Sequence, residues 1–418
     1  MEEIFVEMTG LATVTVAVFG VIFCLMQTRF TRVSKSFAAL LGVIAVNNLP
    51  EAFSQLIATL PRGYALAADI ITWPSSFFLA PLLWIYVFVL TSQDQQWPVK
   101  LRRHLVLPSV AVVIGVLVLA SPISAQEELF TGNLETLSPW VVTLAVFLGL
   151  FQLAIYLQIA FYLYLIIRRL ISFRSKLRDV YASTEQHELR WIYVIGGLAI
   201  GFWLVQALLL IVAVDPSKTD AVPAFMISAS LVGFCLVAAM TLWGLRQRPP
   251  LDPDGADDPS PSSPSPDIAS PDTIGPDISQ PAGKYEKSAL SPEASERLTR
   301  KLRMAMEVDH LHRDPNLSLW ALAKHTGASS NYISQPLNEI IGENFFDFVN
   351  GYRIAEAKTL LSTTNESVLN ITYDVGFNAR SSFYNAFKRA TGQTPTHYRK
   401  NMSQRDGLDD MTTPLGDT

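Results

Sequence analysis

Hydrophobic and polar positions change their rhythm twice along this chain. Between residues 5 and 245 the sequence runs in long apolar stretches with short polar interruptions. Seven stretches can be delimited, at 5–27, 37–60, 65–91, 104–121, 139–167, 191–214 and 223–245. Each is long enough, or nearly so, to cross a hydrocarbon core as a helix rising ~1.5 Å per residue. The fourth is the shortest and the second the most polar. From Pro249 to Pro281 the pattern gives way to Pro, Asp and Ser, with ten prolines and almost nothing to bury. Such a segment is expected to be disordered, with proline stiffening it to a reach of roughly 100 Å. At Ser291-Pro292, a good helix cap and first helical position, order is expected to return, and apolar residues recur at the period of amphipathic helices.

The amphipathic part contains the same plan twice. In Ser318–Gly342, Leu319, Leu322 and Ala323 share one helix face, and Gly327 supplies a turn where a positive φ is cheapest for glycine. Ser329 or Ser330 can cap the next helix, whose apolar face holds Ile333, Leu337, Ile340 and Ile341. Its other face carries Asn331, Ser334, Gln335 and Asn338. In Ser367–Lys400, Val368, Ile371 and Val375 form the stripe, Gly376 the turn and Asn378 a cap. Phe383 and Phe387 then anchor a second helix that turns Arg380, Ser381, Tyr384, Asn385 and Lys388 outward. The offset is 49 between Gly327 and Gly376 and 50 between Ile333 and Phe383, so the second turn has one extra residue. Asn344–Ser362 reads as a helix between the two, with Phe345, Phe348, Val349, Tyr352 and Ala355 inward.

Two-helix motifs of this kind place their second helix in the DNA major groove, and a rigid spacer suits successive groove faces about 34 Å apart. Short polar and basic side chains on that helix suit base edges and phosphates. Arg380, Asn385 and Lys388 rank first as DNA contacts by charge and position, with Asn331 and Gln335 next, and Ser334, Asn338, Asn378, Ser381 and Tyr384 complete the candidate set. Pro336 lies well inside the first of these helices, where proline costs ~3 kcal/mol or more, so a kink or an early stop is expected there.

The run NFFDFVNGYRIAEAKTLL, followed by GFNARSSFYNAFKRATGQTPTHYR, resembles the DNA-binding domain of the AraC/XylS family of bacterial transcription regulators. The resemblance extends from about Leu298 to Lys400, a quarter of the chain. It implies seven helices, monomeric reading of one half-site, and control of promoter activity. It implies nothing about the first 245 residues. The soluble sugar-binding domain common in the family is not visible.

Charge sharpens this division. Half the residues are apolar and only 17% are charged. Residues 1–248 carry a net +2, 249–296 a net −8, 297–402 a net +4 and 403–418 a net −3. The positive block coincides with the candidate DNA reader, as phosphate binding requires. Among the loops between apolar stretches, one alternate set holds 14 Lys and Arg residues and the other only Arg62 and Lys218. The positive-inside rule then puts the first set in the cytoplasm, the N-terminus outside, and the end of the seventh stretch on the side where the DNA is. The acidic start MEEIFVEM lacks the basic region of a signal peptide and reads as the head of a retained anchor. Trp97, Trp140, Trp191 and Trp243 lie near span ends. Gly197 and Gly201 form a GxxxG pair, expected to mark close packing within the bundle. The two cysteines, Cys24 and Cys235, are expected only to pack.

Polar groups at membrane depth are functional candidates because burying them is costly. Asn47, Asn48 and Glu51, next to the helix-breaking Pro50, together with Asp69, form a candidate pocket open to the outside. The alternative role for these groups is internal hydrogen bonding that fixes helix packing. No lysine lies in any apolar stretch, which excludes a retinal Schiff base. HExxH, GxSxG and phosphate-loop motifs are absent, so neither enzymatic activity nor a cofactor is expected.

The expected architecture is all-α. A seven-span bundle (1–248) is followed by a disordered linker (249–290), a tandem helix-turn-helix domain (291–402) and an acidic disordered tail (403–418). The expected function is a one-component regulator in the bacterial inner membrane. Its expected partners are double-stranded promoter DNA, the lipid bilayer, RNA polymerase, a second copy of the chain and an unidentified signal. Proteolytic release of the reader through the linker, or a transporter with a regulatory domain, are the alternatives.

Overall fold

The computed structural model describes residues 2–131, 138–184, 189–213, 222–247 and 290–409. Residues 249–289 of the expected linker and the chain beyond Asp409 lie outside the described residues. Among those residues every regular element is helical, and a single isolated bridge pairs Tyr181 with Ser318.

Among the described residues, twelve α-helices precede residue 248. They are α1 (Glu2–Met26), α2 (Thr31–Asn47), α3 (Leu49–Ala52), α4 (Ser54–Thr59), α5 (Arg62–Thr72), α6 (Ser76–Leu90), α7 (Leu101–His104), α8 (Val106–Leu119), α9 (Ile123–Thr131), α10 (Pro139–Arg178), α11 (Arg190–Ala213) and α12 (Val222–Arg246). Seven come after residue 290: α13 (Pro292–Glu307), α14 (Leu319–Thr326), α15 (Ser330–Pro336), α16 (Phe345–Thr363), α17 (Val368–Asp374), α18 (Arg380–Thr391) and α19 (Pro395–Asp409). The chain forms two compact units, Met1–Ser172 with Leu189–Leu251, and Phe173–Glu188 with Asp252–Thr418. This division differs from the linear one expected, because a piece of chain just after the fifth apolar stretch belongs with the C-terminal helices.

In the first unit α1 packs on α2 and α12, α2 on α6, and α11 on α12. Among the described residues, five helical runs are long and apolar enough to cross a membrane: Glu3–Met26, Arg62–Leu90, Pro139–Arg178, Trp191–Leu208 and Met226–Arg246. Val106–Leu119 with Ile123–Leu129, bent by 118°, makes a sixth if the pair is one span. The second expected stretch, 37–60, is not a continuous helix. α2 ends at Asn47, where the Asn48 side chain turns back to the Ile44 carbonyl at 2.8 Å and Pro50 lacks a backbone donor. α3 and α4 continue the run as short pieces. α2 is nonetheless well enclosed, with Phe37, Leu40 and Leu41 buried. Its broken end meets α1 at Gly10, where a Cβ would stand 2.9 Å from the Ala52 backbone nitrogen. Arg169 of α10 donates to the Thr91 and Ser92 hydroxyls at 2.9 and 2.8 Å, which ties α10 to the end of α6.

Two expectations for this unit fail. Gly197 and Gly201 meet nothing within 4 Å of where a Cβ would sit, so the pair does not mark close packing among the described residues. Cys24 is buried, but Cys235 is exposed.

In the second unit α13 to α19 match the seven helices expected. Ser291 caps α13 by accepting from the Ala294 amide, as its sequence suggests. Ser318 and Ser367 cap the first helices of the two motifs in the same way. α16 serves both halves. Phe345, Phe348 and Val349 join a core with Leu302, Leu322 and Ile333, while Ile354, Ala357 and Leu361 join another with Ile371, Phe383 and Phe387. Ala355, expected inward, is exposed, and Tyr352 is only partly covered. The fully buried positions include Arg353, on the i+4 row from Phe345 through Val349 to Ala357 and Leu361. α19 runs to Asp409, past the boundary at 402 where the tail was expected to begin.

Gly376 is held by two constraints. Its φ is +95°, and a Cβ there would lie 2.5 Å from the His312 carbonyl oxygen and 2.8 Å from that of Arg313. Gly342 has φ +78° with nothing within 4 Å. Gly342→Ala is therefore expected to lose about 1 kcal/mol of stability from backbone strain alone. Gly376→Ala should lose clearly more, read as a larger fall in the urea midpoint of the C-terminal unit within the full chain.

Candidate nucleic-acid interface

Each motif sets a short first helix across a glycine turn from a second one. In the first motif Gly327 ends α14 at φ +68°, and α15 begins with Ser329 at the cap position but without a side-chain bond to the helix. α15 stays α-helical only to Pro336, after which Leu337–Ile341 form a π-turn. The early stop expected from Pro336 is thus present. The π-turn also rotates the residues beyond it, so Ile333 and Leu337 are buried but Ile340, expected on the same face, is 46% exposed.

On α15, Asn331 is exposed and Ser334 half-buried. Gln335 is occupied within the domain, since its Oε1 accepts from the Leu290 amide at 3.1 Å and its Nε2 donates to Glu339 at 2.9 Å. Asn338 is exposed on the π-turn.

The second motif is more regular. α18 spans Arg380–Thr391 without interruption, with Phe383, Ala386 and Phe387 buried. Arg380, Ser381, Asn385 and Lys388 are exposed together and Tyr384 is half-buried. Arg380 lies over the Tyr384 ring at 4.9 Å and donates to its hydroxyl at 3.2 Å. The same hydroxyl meets Thr396 at 3.2 Å, and the Thr396 hydrogen bond, helped by Arg380, holds the Tyr384 phenol below its ordinary pKa. Asn378 does not cap this helix. Ala379 takes the cap position, and Asn378 donates to the Pro315 carbonyl at 2.9 Å, fastening the turn to the loop before α14.

The electrostatics of the two second helices are unequal. Residues 330–341 include Glu339 and no Lys or Arg, whereas 380–391 include Arg380, Lys388 and Arg389 with no acid. Positive charge therefore concentrates on the second motif. Arg389 is partly occupied by Asp347 of α16, at 2.8 Å.

Two features of this surface are not visible in the pattern of outward residues. Thr396, at the start of α19, holds Tyr384 and through it Arg380. The loop before α14 sets the turn of the second motif: Arg313 and His312 both bond Glu356 of α16, the latter at 2.7 Å, and their carbonyls abut Gly376.

The candidate sensing residues lie elsewhere and take separate partners. Asn47 donates to the Ser75 hydroxyl at 2.9 Å, and Asn48 bonds its own helix. Glu51 accepts from Ser230 of α12 at 2.6 Å, and Ser230 also meets the Thr9 hydroxyl of α1. Asp69 is exposed on α5.

Two short helices across a glycine turn, repeated around a shared spacer helix with a basic second reader, define a tandem helix-turn-helix DNA-binding domain. Residues 322–401 match the family model of a helix-turn-helix domain. Over 99 residues, 24% of this chain, the sequence is 35% identical to an HTH-type transcriptional regulator of Staphylococcus aureus, and the match spans 13% of that regulator. Over 92 residues, 22% of the chain, it is 30% identical to the melibiose operon regulatory protein of Escherichia coli, spanning 30% of it. A solved structure, the C-terminal domain of AraT, a response regulator from Geobacillus stearothermophilus, is 26% identical over 27% of this chain and 88% of that one, with a TM-score of 0.24. The C-terminal part of the chain is an AraC-type helix-turn-helix domain, which supports DNA-binding transcription regulation.

Arg380→Ala is expected to weaken binding to the chain's own chromosomal target fragments by ~1–3 kcal/mol and to relax sequence preference. Gln335→Ala should change affinity less, because that amide is already engaged. Competition mobility-shift assays with both variants check the order.

Burial would raise the Glu356 pKa, but its hydrogen bonds from Arg313 and His312 outweigh this and hold it below the ordinary value. A lowered folded pKa adds stability above the unfolded value, about 4.3, that is lost as pH falls through the folded one. Acid unfolding of the reader should therefore be shallower in Glu356→Gln than in the wild type, measured as urea midpoint against pH between neutrality and about pH 3.

Proposed function

We propose that the protein is a membrane-embedded one-component transcription regulator. The apolar helices hold it in the bacterial inner membrane and receive a signal from outside or from within the bilayer. The tandem helix-turn-helix domain reads promoter DNA in the cytoplasm. The observation that carries this reading is the presence, in one chain, of helices long and apolar enough to cross a membrane and of an AraC-type DNA reader.

Two features support the orientation. The loops on one side hold 14 Lys and Arg residues against two on the other, which favours an outside N-terminus and a cytoplasmic reader. An odd number of crossings is then required. The broken run α2–α4 supplies the seventh, because irregular backbone is tolerated at membrane depth where protein surrounds it, and much of α2 is buried.

The signal-sensing element of this proposal is the break itself. Glu51 sits there with Ser230 of α12 and Thr9 of α1, so the carboxylate joins three helices. A ligand that competes for Glu51 would loosen that junction. Asn47 and Asn48 hold the broken end in place. Pairing of two copies would raise the effective concentration of readers at two half-sites, and RNA polymerase is the partner through which transcription changes.

Chromosomal fragments crosslinked to the full-length chain in cells, together with fractionation of the same cells, test this proposal. The chain should sediment with membranes and recover discrete promoter regions, and Arg380→Ala should lose those regions while still sedimenting. A soluble chain, or recovery of DNA without site preference, would refute it. Expression of the recovered genes should lose its response to every inducing condition in Glu51→Gln; an intact response would remove Glu51 from the sensing role.

A further inference from the structure

The C-terminal unit includes a piece of chain that the linear order of domains places elsewhere. Phe173–Glu188 lies in sequence between the fifth and sixth apolar stretches, yet it is part of the compact unit that contains both helix-turn-helix motifs. Its first residues are the end of α10, and α10 is one continuous helix from Pro139 to Arg178.

Beyond α10 the chain leaves the helix and pairs with the reader. Ala182 donates its amide to the Leu317 carbonyl at 3.1 Å, and the Leu319 amide donates to the Val180 carbonyl at 2.8 Å. These bonds flank Tyr181 and Ser318, which face each other as an antiparallel, non-hydrogen-bonded pair. Tyr181 sets its ring edge-on to Trp320, with centroids 5.7 Å apart. Ala182 is 1% exposed and belongs to the same apolar core as Leu302, Leu322 and Phe345.

Buried polar groups of the reader complete the seat. Asn350 donates to the Ala182 carbonyl at 3.0 Å. Arg353, with no exposed surface, donates to the Ser183 hydroxyl at 3.1 Å. An exposed loop touching a domain by accident would not supply acceptors to a buried guanidinium or fill its core. The pairing is one isolated antiparallel bridge, with the Asn350 and Arg353 side chains fixing its register.

We propose that Val180–Thr184 is a docking strap that fastens the DNA reader to the end of the fifth apolar helix, independently of segment 248–289. The inference rests on the membrane reading above for what α10 is anchored in, but the strap's engagement with the reader stands apart from it. The strap also reaches both motifs. Its pairing partner Ser318 caps α14, while Arg353 ties the strap to the His312 and Asp314 carbonyls in the loop that abuts Gly376. A displacement at the end of α10 is thereby delivered to the turn before α18.

The test uses the full-length chain in isolated membranes, with a site-specific protease sequence inserted within 249–289. After cleavage the C-terminal fragment should stay in the membrane pellet, and Ala182→Asp should shift it to the supernatant. Release of the wild-type fragment on cleavage would overturn the proposal, as would equal retention of the variant. Because Ala182→Asp could unfold the reader, a second chain carries Tyr181→Cys and Ser318→Cys in a Cys24→Ser, Cys235→Ser background. A non-hydrogen-bonded pair has the Cα spacing that a disulfide needs. Oxidation and then cleavage should leave the two fragments joined on a non-reducing gel and separate after reduction. Fragments that separate without reduction would overturn the strap. If the uncut chain does not sediment, the membrane reading fails while the crosslink still decides the strap.

Discussion

A guanidinium keeps its charge at any pH a cell experiences, so burying one obliges the surrounding chain to supply oxygen atoms. Arg353 imposes that demand at the centre of the C-terminal unit. Its Nε donates to the His312 carbonyl and one terminal nitrogen to the Asp314 carbonyl, both at 2.7 Å. The other terminal nitrogen faces Ala182, Ser183 and Asn350. The loop 312–315 is thereby held where its carbonyls exclude any side chain at position 376 and where Pro315 receives Asn378. The turn before α18, and with it the placing of Arg380 and Lys388, depends on that loop. The half of α16 before Arg353 packs with the first motif and the half after it with the second.

Much of the reader is legible in the sequence because its elements obey local rules. Ser291, the apolar faces of α14 and α17, the glycine turns and the break at Pro336 each come from cap chemistry, helical period or proline's missing donor. Local rules fail where long-range contacts decide. Asn378 has the composition of a cap, but a carbonyl 63 residues away claims its amide. Ile340 has the right spacing for a core residue until the π-turn rotates it outward. Arg353 escapes an apolar pattern, which cannot register a buried cation, although the i+4 row from Phe345 to Leu361 runs through it. The strap has no local signature, since nothing in Tyr181-Ala182-Ser183 signals that its partners lie beyond residue 316.

In the apolar half, hydropathy locates the helices but not their continuity. The run α5 to α6 remains membrane-length across Pro74, whereas 37–60 breaks at Asn48 and Pro50. The polar residues beside Pro74 (Thr72, Ser75 and Ser76) bond carbonyls of the preceding turn, whereas those of 37–60 include partners on other helices. At that break Asn48 donates to the Ile44 carbonyl, Asn47 donates to Ser75, and Glu51 accepts from Ser230. Such a site is costly to keep in an apolar setting, and it joins α3 to α1 and α12, which pack on each other. The polar junction at Glu51 lies within the first unit, and the pairing of Val180–Thr184 lies within the second.

Hydrogen exchange on the full-length chain in lipid nanodiscs tests this account most directly. The Leu319 amide, which donates to Val180, and the Ala182 amide, which donates to Leu317, should be protected to the level of the core of α16. Exchange at both amides as fast as in an open loop, with α16 still protected, would contradict it.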